Sequence, residues 1–331
     1  MKKNKIIAIP LLIFISFVPL LSLSLFYNPK EENTSIEKPI VVVKEQESIA
    51  FTPWSTSFEG LEVIELALKN TDDYFGNVIP DSSYKLIVDK SFPSSELAWI
   101  KDMLSYSNGS LSKFKDETIK VFISDSGKWS KKTLESSNLW LGDPNGNYPC
   151  SGNTLSEASC AQDNLILISY FDVEPNHDWY VSRRAIPAHE VFHIFQDSLS
   201  GLGVNVGKDN PRAIPIWLIE GSANFYGFYV VHKMGFNDYN ESRSSRSWYD
   251  YQSATQVPLF KYDDFSSDPY TIGQLATEYL VASAGFESLM NIFKYSKTEK
   301  TFSSAFKKAV GISLEEFYSK FELSRDLMYV G

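Results

Sequence analysis

The chain has 331 residues, of which 43% are hydrophobic and 22% charged, close to the averages for globular proteins. That length accommodates one large domain or two modest ones, and 18 Tyr, 23 Phe and 7 Trp allow a sizeable core without covalent staples. A net charge of −10 argues against nucleic acid or anionic lipid as the main partner.

Lys2, Lys3 and Lys5 precede an apolar run of 22 residues from Ile6 to Tyr27. The run exceeds the ~7–15 residues of a signal-peptide core and matches the ~20 needed to cross a bilayer. Residues 1–27 therefore read as a membrane anchor, with a signal peptide cleaved after Ser24 as the alternative. Basic residues stay on the cytoplasmic side, which puts the rest of the chain outside. Residues 28–50 are charged and lack a core pattern, so residues 28–56 read as an extracytoplasmic linker. Residues 57–331 form the folded domain, an α/β part to about 181 and a helical part from about 182. Cys150 and Cys160 are the only cysteines. In an oxidising compartment they are expected to pair as a disulfide, two free thiols being the alternative.

Within the domain, residues 58–75 have helical spacing, Tyr84–Val88 alternates like a strand, and Ser94–Phe114 is helical again. Thr118–Ser124 and Asn164–Phe171 are rich in β-branched residues and read as strands. A Gly- and Asn-rich loop covers Gly142–Asn153. After Ser182 the pattern is helical to the end, with Ser313 and Glu316 as a capping box. Strands and helices first, then helices alone, indicates an α+β fold with segregated layers.

His189-Glu190-Val191-Phe192-His193 is an H-E-x-x-H sequence. On a helix, positions i and i+4 share a face, so both imidazoles can reach one metal while Glu190 sits beside it. Pro187 suits the first turn of that helix and Gly201 its end. The bland alternative is a core helix with hydrogen-bonded histidines. It has to explain two buried imidazoles next to a buried carboxylate.

Metzincins place a Gly and a His three and six residues after the second His; here those positions hold Gln196 and Leu199, which excludes that class. A third ligand is available in Trp217-Leu-Ile-Glu220-Gly-Ser-Ala223, where Pro215 marks another helix start. Glu220, Ala223, Asn224 and Gly227 share one stripe, and the small residues would let this helix approach the histidine helix. Asn224, four after Glu220, and Asp197, four after His193, are candidates for orienting the imidazoles. His177 lies in an acidic loop, and His232 is expected at the surface.

The pair HEVFHIFQ and PIWLIEGSANFYG resembles the peptidase MA-like gluzincins and, more distantly, the aminopeptidase N family, whose third-ligand motif also reads E-G-x-A. Tyr270-Thr-Ile-Gly273 followed by ATEYL, and later AFKKAVGISLEEF, is similar to that family's Y-x-x-G helix and closing helices. The resemblance implies a thermolysin-like catalytic domain, with a small mixed sheet whose edge strand lies over the active-site helix. It implies one zinc ion (Zn2+) per chain held by His189, His193 and Glu220, with Glu190 as general base and Tyr270 as oxyanion donor. The partner would be a peptide or protein substrate, paired along Asn164–Phe171 as the edge strand. The G-x-M-E-N segment with which aminopeptidase N enzymes hold a free amine is missing, so aminopeptidase specificity is not implied. The function this suggests is peptide-bond hydrolysis by a membrane-anchored or secreted zinc metallopeptidase. The alternatives are a non-catalytic binding protein on the same fold and a zinc hydrolase of non-peptide amides or esters.

Overall fold

The computed structural model describes residues 51–114, 117–124, 126–136, 159–162, 164–169, 183–202, 210–244, 257–262 and 269–329, all within one compact unit, Glu47–Gly331. The first half comprises helix α1 (Gly60–Phe75), strand β1 (Lys85–Val88), helix α2 (Ser94–Leu111), strand β2 (Lys120–Ser124), helix α3 (Gly127–Ser136) and strands β3 (Cys160–Gln162) and β4 (Leu165–Ser169). The second comprises helices α4 (Ile186–Ser200), α5 (Ile216–Lys233), α6 (Pro269–Ala284), α7 (Phe286–Ser296), α8 (Phe302–Val310) and α9 (Leu314–Ser324). The protein is thus mixed α/β and mostly helical, with a four-stranded sheet among the described residues.

The strand order is β1-β2-β4-β3. The first three are parallel, with Lys85 opposite Lys120 and Lys120 opposite Leu165, while β3 runs antiparallel to β4, Cys160 opposite Leu167. This corrects the expectation that 164–171 forms the edge. β4 lies inside the sheet, and all five of its residues are buried. An unbroken apolar run without alternation is the signature of a strand covered on both faces. The edge beyond it belongs to β3, whose three residues are too few to leave a periodic signal.

Two further expectations are corrected. No described helix is long and apolar enough to cross a membrane, and the run Ile6–Tyr27 lies outside the described residues. The N-terminal anchor, and the extracytoplasmic location that followed from it, are not carried forward. No disulfide pair lies within the described residues either: Cys150 falls outside them, and Cys160 is not a free thiol. The Gly142–Asn153 loop and His177 also lie outside.

Residues 51–56, assigned to the linker from composition, belong to the folded body. The ring of Phe51 packs edge-on against Phe58 at 5.3 Å, and that of Trp54 against Tyr279 at 5.9 Å. The Trp54 N–H donates to Ser283 Oγ (3.1 Å), and the Tyr279 hydroxyl donates to the Ser55 carbonyl (2.8 Å). These contacts hold the start of the domain on α6.

Helix α5 is the centre of the helical half. Every residue from Trp217 to Val231 is buried, so this helix is enclosed on all sides rather than amphipathic. It crosses α6 at a pair of glycines. A Cβ on Gly221 would stand 2.0 Å from the Gly273 carbonyl carbon, and one on Gly273 would stand 2.1 Å from the Trp217 oxygen. Only glycine lets the two backbones meet there. At its other end, a Cβ on Gly227 would come within 2.9 Å of the Ala185 oxygen, just ahead of α4. The small residues near Glu220 therefore serve two contacts. Gly221 admits α6, and Gly227 admits the start of the histidine helix. Further along the chain, Ser313 Oγ accepts the Glu316 N–H (3.1 Å), while a reciprocal capping box forms one helix earlier between Thr301 and Ser304.

Candidate metal centre

Helix α4 opens with Pro187 in its first turn and closes at Gly201, which adopts the left-handed conformation (φ 61°) and returns its N–H to the Asp197 carbonyl. Every residue from Pro187 to Gln196 is buried. The ring of Phe192 stacks on Tyr226 at 4.9 Å, and the Tyr226 hydroxyl is 2.5 Å from Ser110 Oγ on α2. This contact presses α4 on α5, and the neighbouring stripe, His189 and His193, meets Glu220 on the same helix.

The three groups converge. His189 Nε2 and His193 Nε2 are 2.9 Å apart, and Glu220 Oε2 lies 3.3 Å from the first and 3.5 Å from the second. All three residues are buried, and the group could hold a metal ion. Two imidazole nitrogens and a carboxylate oxygen, all aimed at one point, suit a divalent cation. Without one, the cluster must keep a proton between its members.

Titration behaviour without a metal follows from that crowding. Burial works against charge on Glu220, but the two imidazoles, His193 above all, outweigh it and hold this carboxyl far below the usual carboxylate range. Burial alone would lower His193, yet Glu220, together with Glu190 and Gln196, pushes it up to about 9. Glu190 is pushed up to about 8, by burial first and by the Glu220 charge second, against the pull of His193. Its Oε2 is buried and has no hydrogen-bond partner in the protein. A carboxylate oxygen left without a donor in the interior costs free energy, which a proton or a water would relieve.

The structure brings Tyr270 to the same place. It is the second residue of α6, and its ring centre is 6.2 Å from that of His189, tilted by 31°. The glycine crossing of α5 and α6 sits one turn further on, so the same close approach that joins Gly221 to Gly273 positions Tyr270 beside Glu220's helix. Asn224 is buried one turn beyond Glu220, and its Nδ2 has no protein partner. Asp197 is half-buried near the end of α4. The position against His193 Nδ1 is filled instead by Gln196, whose Oε1 is 2.7 Å away. Gln196 Nε2 in turn donates to the Ile219 carbonyl and to Ser222 Oγ, each at 2.9 Å. In the sequence Gln196 serves only to exclude the metzincin pattern and has no role of its own. Its partners sit on α5, and only the packing of the two helices reveals them. His232 is partly exposed, with Nδ1 3.9 Å from Asp238, away from the cluster.

No family model, curated protein or solved structure matches the chain. The case for the site's chemistry accordingly rests on its own residues and on the motifs they form.

Proposed function

We propose that the chain is a zinc-dependent hydrolase of peptide bonds, with one zinc ion held by His189, His193 and Glu220. The observation that carries the reading is the set of three convergent buried donors beside a carboxylate oxygen, Glu190 Oε2, that no protein group occupies. Two imidazoles and one carboxylate are the donor set of catalytic zinc sites, which keep a position open for water or substrate. Ligands about 2.0–2.2 Å from a tetrahedral ion stand about 3.3–3.6 Å from one another. The three separations here run from 2.9 to 3.5 Å, so the donors fit that ion with little adjustment. The motifs HEVFH and WLIEG support a gluzincin in the same way.

A bound zinc would polarise a substrate carbonyl and lower the pKa of water toward neutrality. The protein's own part begins at Glu190. Its Oε2 takes a proton from water as the water oxygen bonds to the carbonyl carbon. The same carboxyl then gives that proton to the leaving nitrogen as the C–N bond breaks. Burial makes this carboxylate a stronger base than a solvated one, as a group working near neutral pH needs. Tyr270 donates its hydroxyl hydrogen to the carbonyl oxygen on which negative charge grows. An extended peptide would add along β3, the antiparallel edge strand that lies against α4.

The test is cleavage of a peptide library by the full chain, read by mass spectrometry, before and after a chelator and again after added zinc. Cleavage should stop with the chelator and return with zinc. Stoichiometric zinc with no peptide cut would remove peptide hydrolysis from the reading.

A further inference from the structure

The hydrogen bonds around Gln196 can be given directions by counting donors and acceptors. The Ser222 hydroxyl is 2.6 Å from the Leu218 carbonyl, which can only accept, so the single hydroxyl hydrogen points there. Ser222 Oγ must therefore accept from Gln196 at 2.9 Å. The Ile219 carbonyl, also 2.9 Å from the Gln196 amide, can only accept as well. Both demands are met when the amide nitrogen of Gln196 faces α5. The reversed amide would set two oxygens against each other at 2.9 Å. Gln196 Oε1 is thereby left facing His193 Nδ1 at 2.7 Å, where it needs a hydrogen from the ring. His193 must carry its proton on Nδ1, and its Nε2 is the nitrogen presented to His189 Nε2 and Glu220 Oε2.

From this chain of bonds we propose that Gln196 is a positioning residue for the metal centre. It fixes which nitrogen of His193 is the ligand and holds that ring to the turn of α5 that bears Glu220. Ile219 is the residue immediately before Glu220 and Ser222 lies two beyond it, so one buried amide spans both ligand-bearing helices. Gln196 is itself 4% exposed, which keeps water from competing for its bonds. The proposal rests on the reading that His193 and Glu220 hold a metal. It adds that their geometry is set before the metal arrives. Partners that orient a ligating imidazole also raise its basicity, and losing one typically costs about 10–100-fold in metal affinity.

The experiment measures zinc affinity of the full chain by competition with a chromophoric chelator, together with melting temperature. Gln196→Leu should weaken zinc binding by about 10–100-fold. Gln196→Glu keeps an oxygen toward the ring but turns the other on the Ile219 carbonyl, so it should melt earlier than wild type while recovering part of the lost affinity. Nitrogen-15 NMR of the zinc-loaded wild type should find the metal on His193 Nε2 and a slowly exchanging proton on Nδ1. That measurement needs no variant, so it decides the matter even where Gln196→Leu does not fold. Zinc on Nδ1 overturns the proposal. So does a Gln196→Leu protein that melts earlier yet binds zinc as tightly as wild type, because a purely structural role moves stability alone. His193→Ala separates this failure from a deeper one. If it binds zinc like wild type, or if wild type binds none, the metal reading falls and the proposal with it. If both behave as metal binding requires while Gln196→Leu is unchanged, only the positioning role is lost.

Discussion

Among the described residues, the helical half buries two clusters of charged groups that are built on opposite principles. On α6, Glu278 is fully buried and its carboxylate is saturated by the protein. Arg243 Nε donates to both oxygens at 3.0 Å, the Tyr239 hydroxyl donates at 2.8 Å, and Gln274 Nε2 is 3.3 Å away. Arg243 also donates to the Met328 carbonyl, so the cluster ties segment 239–244 and the end of the described chain to α6. On α4 and α5, three potential ligands are aimed at one another, Glu190 Oε2 has no partner, and neither has Asn224 Nδ2. Polar groups pair when they are buried for stability. A buried cluster that leaves a carboxylate oxygen and an amide hydrogen unmatched lacks partners that a bound ion, water or ligand could supply.

That contrast can be broken most forcefully at Glu190. Glu190→Gln should leave zinc stoichiometry intact and reduce peptide turnover by about 10²–10⁴-fold, the usual worth of a general base. Zinc analysis and kcat on one preparation check this, and wild-type turnover would take Glu190 out of the mechanism. The mirror experiment is Glu278→Gln. Removing one partner of a buried ion pair leaves the other charge stranded, at a cost of about 3–5 kcal/mol. Denaturant unfolding should record a loss of that size, while zinc bound per folded molecule stays the same. A variant that kept its stability and lost its metal would erase the distinction between the two clusters.

Tyr270 links the two, lying on the helix that carries Glu278 but with its ring against His189. Tyr270→Phe retains the ring and removes only the hydroxyl. If Tyr270 donates to the developing oxyanion, kcat should fall by about 10²–10³-fold, with zinc content and melting temperature unchanged. A packing role predicts unchanged kcat for so small an alteration.

How much of this was legible in sequence follows from the range of the interactions. His189, Glu190 and His193 announce themselves because their geometry is local, fixed by one turn of helix. Glu220 and Tyr270 were reachable through motifs that set each candidate residue near a glycine that the helix packing requires. Gly221 and Gly273 prove to be the two sides of a single backbone crossing. Gln196 was not legible, since its bonds reach Ile219 and Ser222 on another helix. The sheet was read correctly at β1, β2 and β4, but which strand flanks which depends on pairing. Pairing leaves no trace when the outer strand is only three residues long. Residues 51–56 failed for a related reason: Phe51 and Trp54 look like isolated aromatics until α6 is seen beneath them.

The subtlest separation of the two clusters is by pH. Without metal, His193 is held up to about 9, from an ordinary value of 6.5. A folded-state pKa raised above the unfolded one contributes stability that is complete below about pH 6.5 and is lost as pH rises through about 9. Glu190, raised from 4.5 to about 8, acts in the same direction: its contribution is complete below about pH 4.5 and lost as pH rises through about 8. The metal-free protein should therefore lose stability from this site as the solution becomes more alkaline. A zinc ion held by His193 would reverse the sign. Such binding would require a neutral His193, so each ion would displace that proton, and its stabilising effect would grow by up to about 1.4 kcal/mol per pH unit for each proton released. The gap in melting temperature between zinc-loaded and metal-free protein should widen by up to about 5–10 °C from about pH 6 to pH 8. Scanning both forms of the same preparation across that range measures it. A gap that stays constant would mean that zinc displaces no proton there, and that His193 is not among its ligands.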